Sequence, residues 1–218
     1  MRNKDKIILA LPKGRILEDT LPILDEVGIK LDDSFFDKNC RELSFSTNID
    51  NLDVIRVRSF DVATFVSYGA ADIAIAGSDV IKEFNYQNIY SPIDLKVGKC
   101  YLALAAPVEY VENNNEEMWN SHIRVATKYV NMTKRYYAEQ GIQAECIKLN
   151  GAIELAPKLN LCSRIVDLVS SGATLKANGL VEVEKIMDVS SMLVVNRGSF
   201  KTKTDKIEEL IERFSIFN

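Results

Sequence analysis

The segment best suited to chemistry runs from Ile165 to Leu175, where a β-branched apolar stretch ends in a small, polar turn. Three hydroxyls lie in this turn, on Ser170, Ser171 and Thr174. Gly172 leaves the backbone open to close approach, and a helix that begins there presents N–H groups and a dipole that favour an anion. Asp167, just before the turn, carries a carboxylate suited to sugar hydroxyls. The segment predicts either a phosphate-binding turn or a plain strand–turn–helix capped by a serine.

Glycine and histidine positions exclude several other kinds of site. No two of the 10 glycines are two, four or five residues apart. The dinucleotide fingerprint, the nucleophile elbow and the Walker A loop are therefore all absent. His122 is the only histidine and lies at the edge of a predicted strand, where a surface position is favoured over a catalytic triad. The four cysteines are scattered without a C-x-x-C pair, which argues against a zinc site and a disulfide framework.

Composition favours an ordinary globular protein. The chain has 218 residues, of which 47% are hydrophobic, and 27 Lys and Arg face 31 Asp and Glu for a net charge of −4. A nucleic-acid-binding protein normally shows a basic stripe, and this sequence shows none. The apolar run Ile7–Pro12 is too short for a signal peptide, and no run is long enough to cross a bilayer. We therefore expect a cytoplasmic, reduced protein that binds neither nucleic acid nor membrane.

Short apolar runs alternate with helical patterns along the chain, which predicts an α/β fold. The predicted strands are Ile7–Leu11, Leu43–Thr47, Val54–Val57, Ile73–Ala76, Lys99–Ala106, Arg124–Thr127, Ala144–Leu149, Arg164–Val169, Leu180–Met187 and Ser191–Asn196. The predicted helices are Arg15–Val27, Val62–Tyr68, Met132–Gln140 and Asp205–Phe214. Pro22 should kink the first helix or delay its start. The acidic stretch from Asn113 to Glu117 is typical of a solvated loop.

Four stretches carry a resemblance to a known family. They are Ala10–Arg15, Tyr68–Ile73 continuing to Gly77–Asp79, Lys148–Pro157, and Asp167–Gly179. In this order and spacing the sequence resembles the short form of the ATP phosphoribosyltransferases over nearly its whole length. The resemblance implies an α/β, two-lobed fold of the periplasmic-binding-protein type (type II), with the active site in the interdomain cleft. It places residues 1–97 and 180–218 in one domain and 98–179, with the phosphate turn, in the other.

The resemblance also implies a reaction and roles for individual residues. ATP and phosphoribosyl pyrophosphate would give N1-(5-phosphoribosyl)-ATP and pyrophosphate, the first step of histidine biosynthesis. Glu154 and Asp167 would hold the ribose hydroxyls. The 5′-phosphate would bind the turn formed by Ser170, Ser171, Gly172, Ala173 and Thr174. Four cations would meet the pyrophosphate or the ATP phosphates: Lys13, Arg15, Arg56 and Arg58.

Two of these assignments remain open at the level of sequence. The i, i+2 spacing of Arg56 and Arg58 puts both on one face of a strand, yet one of the two can be a surface residue. Gly77 and Asp79 fit a second nucleotide contact or an ordinary helix cap equally well. The stretch from Tyr68 to Asp72 is better explained as packing and turn than as chemistry.

Cofactor and partners follow from the same resemblance. Mg²⁺ would be bound mainly through the substrate pyrophosphate, with no dedicated protein cage. Long-form relatives continue into a histidine-binding regulatory domain, whereas this sequence ends at Asn218. Catalytic chains of the short form pair as homodimers and assemble with a regulatory subunit resembling histidyl-tRNA synthetase into a hetero-oligomer. The apolar residues of the last helix, Leu210, Ile211, Phe214 and Phe217, suit either the core or such an interface.

Two rival functions differ from this one in class or substrate. A non-catalytic cytosolic solute-binding or effector-sensing domain of the same bilobal fold would also have a cleft. Such a sensor has no need of Glu154 together with the turn from Asp167 to Thr174. A phosphoribosyltransferase for another base would carry an acidic pair before its phosphate loop, and here Val166 precedes Asp167.

Overall fold

The computed structural model describes residues 5–37, 39–112 and 122–217. The chain forms two compact units, the first running to Gly98 and resuming at Ser190, the second from Lys99 to Val189. The expected division at residue 180 differs from this one by a single strand. Leu180–Val189 pairs along its length with Cys100–Pro107, which ties it to the sheet of the second unit. The expected solvated loop from Asn113 to Glu117 lies outside the described residues.

A mixed sheet organises the first unit. Its strands are β1 (Ile7–Pro12), β2 (Ser44–Ser46), β3 (Leu52–Val57), β4 (Ile73–Gly77), β5 (Ile89–Asp94) and β11 (Ser191–Asn196). They lie in the order β2-β3-β1-β4-β11-β5. β1 runs parallel to β3 and β4, so these three strands end at the same edge of the sheet. β11 returns antiparallel between β4 and β5.

Helices cover both faces of this sheet. They are α1 (Arg15–Glu26), α2 (Val62–Ser67), α3 (Ser78–Phe84), α8 (Arg197–Thr202) and α9 (Thr204–Phe214). Leu9 packs on one face with Leu24 and Phe214, while Ala10 packs on the other with Val62 and Val80. Because side chains alternate along β1, its two faces pack into two separate cores.

The start of α1 and the buried face of α9 answer two questions that the sequence left open. α1 begins at Arg15 and contains Pro22, so the proline does not delay the start of the helix. Leu210 and Phe214 of α9 are buried in the core of the first unit, and Ile211 and Phe217 pack against it. The apolar stripe of the last helix is thus core.

The second unit has its own sheet. Its strands are β6 (Cys100–Pro107), β7 (His122–Thr127), β8 (Gln143–Lys148), β9 (Arg164–Val169) and β10 (Leu180–Val189). They lie in the order β10-β6-β9-β7-β8, with β7 parallel to β8 and β9, and β6 antiparallel to β9 and β10. The helices are α4 (Val108–Glu112), α5 (Val130–Glu139), α6 (Leu155–Lys158) and α7 (Ala173–Ala177). The α/β prediction is confirmed, and each predicted strand has a counterpart.

Strand β5 is the one the sequence did not indicate. It contains Pro92 and lies at the end of the strand order, where a missing N–H disturbs no inner ladder.

In the described part of the chain, no helix combines the length and apolarity that crossing a membrane requires.

Candidate active site

The turn after β9 has the backbone geometry of an open anion site. Gly172 adopts φ 71° and ψ −2°, the left-handed region that favours glycine, and directly precedes α7. A Cβ built at Gly172 would meet no atom within 4 Å, so the space beside this residue is open. Ser170, Ser171, Ala173 and Thr174 are all exposed. The glycine therefore both permits the turn and leaves room against its backbone.

Hydrogen bonding within this turn is sparse. Among the described residues, the amides of residues 170–174 make one bond, from the Ala173 N–H to Ser171 Oγ at 3.4 Å. The Gly172 carbonyl accepts from the Lys176 N–H at 3.1 Å and so starts the helix. The remaining N–H groups of the turn are the orphan donors of a helix start, and an anion satisfies them.

Glu154 and Asp167 lie on the same face of the second sheet as this turn. Asp167 alternates along β9 with Ile165 and Val169, which pack with Leu175 of α7. Its Oδ1 accepts the Leu168 N–H at 2.8 Å, and the side chain is half-buried. Glu154 is half-buried and directly precedes α6. The neighbours of Glu154 in the chain, Ile153 and Ala156, belong to the same core, so one hydrophobic cluster positions both acids.

In the first unit, the basic residues gather where parallel strands end. Lys13 and Arg15 flank Gly14 after β1, and both side chains are exposed. The Lys13 N–H donates to the Val57 carbonyl at 2.8 Å, and the Lys13 carbonyl accepts from Ser59 Oγ at 3.0 Å. These bonds tie the ends of β1 and β3 together. The carboxyl ends of parallel strands are where α/β proteins bind ligands.

Arg56 and Arg58, predicted to share a face, have different surroundings. Arg56 continues the face of Val54 into the core, where its guanidinium carbon lies 5.1 Å from the ring centroid of Phe35 and 5.2 Å from that of Phe45. Its Nη1 donates to the Phe35 carbonyl at 2.9 Å, and its buried Nε has no partner among the described residues. Arg58 lies beyond the end of β3 and is exposed. Arg56 is thus held in a structural contact, while Arg58 is available to solvent and ligand.

The Gly77–Asp79 segment ends β4 at this same edge. A Cβ on Gly77 would collide with Asp79 Oδ1, so the Asp79 carboxylate folds back over the glycine. Asp79 is buried, which favours the helix-start interpretation over contact with a bound nucleotide. Ser78 donates its N–H to the Ser190 carbonyl at 2.8 Å and accepts the Ser190 N–H on Oγ at 3.3 Å. These partners are 112 residues apart, and no sequence signal joins them.

The described residues include no group of three or more His, Cys, Asp or Glu side chains placed to hold a metal ion. Amides, hydroxyls and exposed cations suit anionic ligands, and single carboxylates suit sugar hydroxyls.

Comparison with known proteins places the sequence in one family. The family described as HisG: ATP phosphoribosyltransferase matches residues 58–215. An ATP phosphoribosyltransferase of Rhodospirillum rubrum is 57% identical over 210 residues, covering 96% of this chain and 92% of that protein. One of Paramagnetospirillum magneticum is 54% identical, covering 98% of this chain and 97% of that protein.

A solved structure agrees with the sequence relatives. The ATP phosphoribosyl transferase (HisG:HisZ) complex from Thermotoga maritima contains a chain that superposes with a TM-score of 0.80 at 30% identity, covering 97% of this chain and 98% of that one. The expected periplasmic-binding-protein-like α/β class is confirmed by this likeness and by the two sheets. The chain belongs to the ATP phosphoribosyltransferase family.

Proposed function

We propose that this chain is an enzyme that joins N1 of the adenine of ATP to C1 of phosphoribosyl pyrophosphate. The products are N1-(5-phosphoribosyl)-ATP and pyrophosphate, and the reaction opens histidine biosynthesis. The observation that carries the proposal is 57% identity to an ATP phosphoribosyltransferase along 96% of the chain. No observation favours the solute-binding alternative.

The reaction does not require a strong general base. Adenine N1 is neutral and has a free lone pair, so it attacks without losing a proton first. Cleavage of the C1–pyrophosphate bond builds positive charge on the ribose and negative charge on the leaving group. The protein must supply orientation and electrostatic stabilisation rather than a covalent nucleophile. A chain with one histidine meets that requirement.

The phosphoribosyl half is assigned to the second unit. The 5′-phosphate accepts hydrogen bonds from the amides and hydroxyls of Ser170, Ser171, Gly172, Ala173 and Thr174. The support is the left-handed Gly172, the open space beside it and the sparse internal bonding of these amides. The carboxylates of Glu154 and Asp167 accept hydrogen bonds from the ribose hydroxyls and fix the sugar ring. Charge-assisted bonds of this kind are roughly twice as strong as neutral ones.

The leaving pyrophosphate and the ATP phosphates are assigned to the cations at the edge of the first sheet. Lys13, Arg15 and Arg58 are exposed there, and their charge acts most where negative charge develops. Arg58 is preferred over Arg56 for the leaving group, because the Arg56 guanidinium already contacts Phe35 and Phe45. Gly77 and Asp79 are retained only as positioning residues at this edge.

A divalent cation accompanies the substrate. Mg²⁺ bound mainly through the substrate pyrophosphate would supply positive charge that stabilises the leaving group. The described residues offer single carboxylates rather than a metal cage, which suits a cation that arrives with its substrate.

The chain is proposed to act as the catalytic subunit of a hetero-oligomer. The support is the solved Thermotoga maritima relative, which is a HisG:HisZ complex. The regulatory partner would be the histidyl-tRNA-synthetase-like subunit of the short-form enzymes, with catalytic chains paired as homodimers.

One assay tests the reaction directly. Purified chain is mixed with ATP, phosphoribosyl pyrophosphate and Mg²⁺, and product formation is followed by ultraviolet absorbance and by release of pyrophosphate. Turnover that requires both substrates supports the proposal. Tight binding of either ligand without any turnover, in the presence of the regulatory subunit as well, would favour the solute-binding alternative.

A further inference from the structure

The second unit contains a cavity of about 70 Å³ that the proposed reaction does not use. Leu104 and Ala106 line it, whereas Ala103 and Ala105 of the same strand belong to the core beneath the phosphate turn. Because side chains alternate along β6, the cavity lies on the opposite face of the sheet from that turn. We call it the tyrosine cavity, after Tyr110, Tyr136 and Tyr137 in its wall.

Two strong hydrogen-bond donors are buried in its wall. Arg164 is 4% exposed, and its guanidinium carbon lies 5.8 Å from the centroid of the Tyr110 ring. A guanidinium has five N–H donors in a fixed plane, so it can serve more than one acceptor. Tyr137 is 1% exposed, and its O–H meets no acceptor among the described residues. The neighbouring Arg164 guanidinium interacts with the hydroxyl oxygen but can only donate. A buried O–H without an acceptor is costly, which points to a ligand that supplies one.

Both side chains are protonated at neutral pH and can donate hydrogen bonds. Burial raises the pKa of the Tyr137 hydroxyl, so it remains protonated at neutral pH. Arg164 and Tyr137 both line the cavity, and both are hydrogen-bond donors at that pH. An acceptor-only group with two oxygens, a carboxylate, complements that pair.

The volume and charge of the cavity restrict the class of ligand further. A cavity of about 150 Å³ holds a molecule the size of benzene, so one of about 70 Å³ suits a ligand of a few heavy atoms and not a nucleotide or sugar phosphate. Glu184 also lines the cavity and accepts the Tyr136 hydroxyl at 2.5 Å. Its charge offsets that of Arg164 and disfavours a dianion. Leu104 and Ile142 give the cavity an apolar side that suits a short alkyl group.

We propose that the tyrosine cavity binds a small monocarboxylate of about the size of acetate or propionate. The carboxylate accepts from the Arg164 guanidinium and the Tyr137 hydroxyl, and the alkyl group packs against Leu104 and Ile142. This site is separate from the phosphoribosyl site and does not depend on the proposed reaction.

The test is a titration of the full chain with sodium acetate and sodium propionate at pH 7, against sodium chloride at equal ionic strength. Thermal unfolding gives the stabilisation, and saturation-transfer NMR on the ligand methyl group gives contact with the protein. The variant is Tyr137→Phe, which keeps the ring and removes only the unpartnered hydroxyl. Tyr136→Phe on the same helix is the matched control, because that hydroxyl already donates to Glu184.

The expected result is a saturable carboxylate effect on the wild type and on Tyr136→Phe, and at least about tenfold weaker apparent affinity in Tyr137→Phe. Without ligand, Tyr137→Phe should unfold at the wild-type temperature or above it, because a buried O–H without an acceptor is gone. Succinate and inorganic phosphate should bind more weakly than acetate. A wild type that responds to carboxylate no more than to chloride would overturn the proposal. Equal affinity in wild type and Tyr137→Phe would overturn it as well.

Discussion

Asp72 and Lys203 form an ion pair in the first unit, with Nζ 3.0 Å from Oδ1 although 131 residues separate them. The Asp72 side chain is 1% exposed and that of Lys203 is 15% exposed. The other acceptor positions of Asp72 are used too: Oδ2 accepts the Ile8 N–H at 2.9 Å, and Oδ1 accepts Ser199 Oγ at 2.6 Å. One carboxylate thus joins β1, β4 and α8 at the amino ends of the parallel strands, away from the proposed cations.

Lys203→Met should destabilise the fold strongly. The change removes the Lys203 cation from a buried carboxylate, and breaking such a pair costs about 3–5 kcal/mol. Urea unfolding measures the loss. Lys206→Met is the control, because Lys206 lies 3.9 Å from Asp5 in an exposed pair whose loss costs at most about 1 kcal/mol. Equal losses in the two variants would show that burial does not strengthen the Asp72 pair.

Gly172→Ala should abolish tight binding of phosphoribosyl pyrophosphate and leave a folded protein. At φ 71° any side chain strains the backbone by about 1–2 kcal/mol, and the new Cβ projects into the open space proposed for the phosphate. Gly172→Val should be more severe because its side chain is branched at Cβ. Calorimetric titration gives the affinity and circular dichroism checks the fold.

Gly141→Ala is a matched control for this loop. Gly141 also has φ 71°, lies in the same unit, and has no atom within 4 Å of a built Cβ. The two alanine variants should lose similar stability, and only Gly172→Ala should lose the ligand. Normal binding by folded Gly172→Ala would remove this turn from the phosphate site.

Asp167→Asn and Glu154→Gln should each weaken phosphoribosyl pyrophosphate binding and slow turnover without unfolding the chain. Each removes charge-assisted bonds to ribose hydroxyls worth about 1.5–3 kcal/mol, or roughly tenfold or more in affinity. Steady-state kinetics with both substrates varied measures the effect. Glu145→Gln, an exposed change on β8, should behave as wild type. Unchanged kinetics in both site variants would exclude these acids from the sugar site.

Local patterns in the sequence were sufficient to predict most of the strands and the turn at Gly172. β9 has the predicted bounds, Arg164–Val169, because a β-branched run between turn residues has few alternative structures. The strand-end cations were predictable for the same reason, since Lys13 and Arg15 follow a continuous apolar run. These features depend on neighbours within a few residues.

Long-range partners could not be predicted in this way. The spacing of Arg56 and Arg58 indicated a shared face, but Phe35 and Phe45, which hold Arg56, come from an earlier segment. Asp72 was correctly placed in a packing and turn segment, yet its partner Lys203 was not indicated. Leu180–Met187 was predicted as a strand, and only the pairing of β10 with β6 shows the unit to which it belongs.

Arg58→Ala should reduce the rate of the chemical step more than it weakens binding. A guanidinium against the leaving pyrophosphate gains strength as negative charge develops, and loss of one such donor costs about 10²–10³-fold in kcat. Single-turnover kinetics separate this step from product release. An unchanged chemical rate would transfer the leaving-group role to Lys13 or Arg15.

Arg56→Ala should lower stability and leave the rate of the chemical step nearly unchanged. Removing its contacts with Phe35 and Phe45 should lower stability by about 1–3 kcal/mol, through lost packing, a lost cation–π contact and the unpaired Phe35 carbonyl. At a temperature where the variant is folded, the chemical rate should stay within a few-fold of wild type. A loss of chemical rate as large as that of Arg58→Ala, with unchanged stability, would place Arg56 at the reaction.

Tyr136 should make stability fall in alkaline solution. Burial and the hydrogen bond to Glu184 raise the pKa of its hydroxyl from 10.0 to about 12. Between those values the unfolded chain releases this proton while the folded chain keeps it, so the free energy of unfolding decreases as pH rises from about 10 to about 12. Below pH 10 the contribution is fully present. Tyr136→Phe cannot ionise there, so its unfolding free energy should fall less steeply with pH across this window.

The measurement compares slopes rather than absolute stabilities, because Tyr136→Phe also loses the bond to Glu184 at every pH. Urea unfolding at a series of pH values between 9 and 12 gives the slope for each protein. The difference between the ultraviolet titrations of folded wild type and folded Tyr136→Phe reports phenolate formation at Tyr136. Tyr68→Phe, a change of the same chemistry at an exposed ring, controls for the substitution itself. If wild type and Tyr136→Phe lose stability with the same slope, the Tyr136 hydroxyl ionises alike in the folded and unfolded chains, and its contact with Glu184 does not hold the proton.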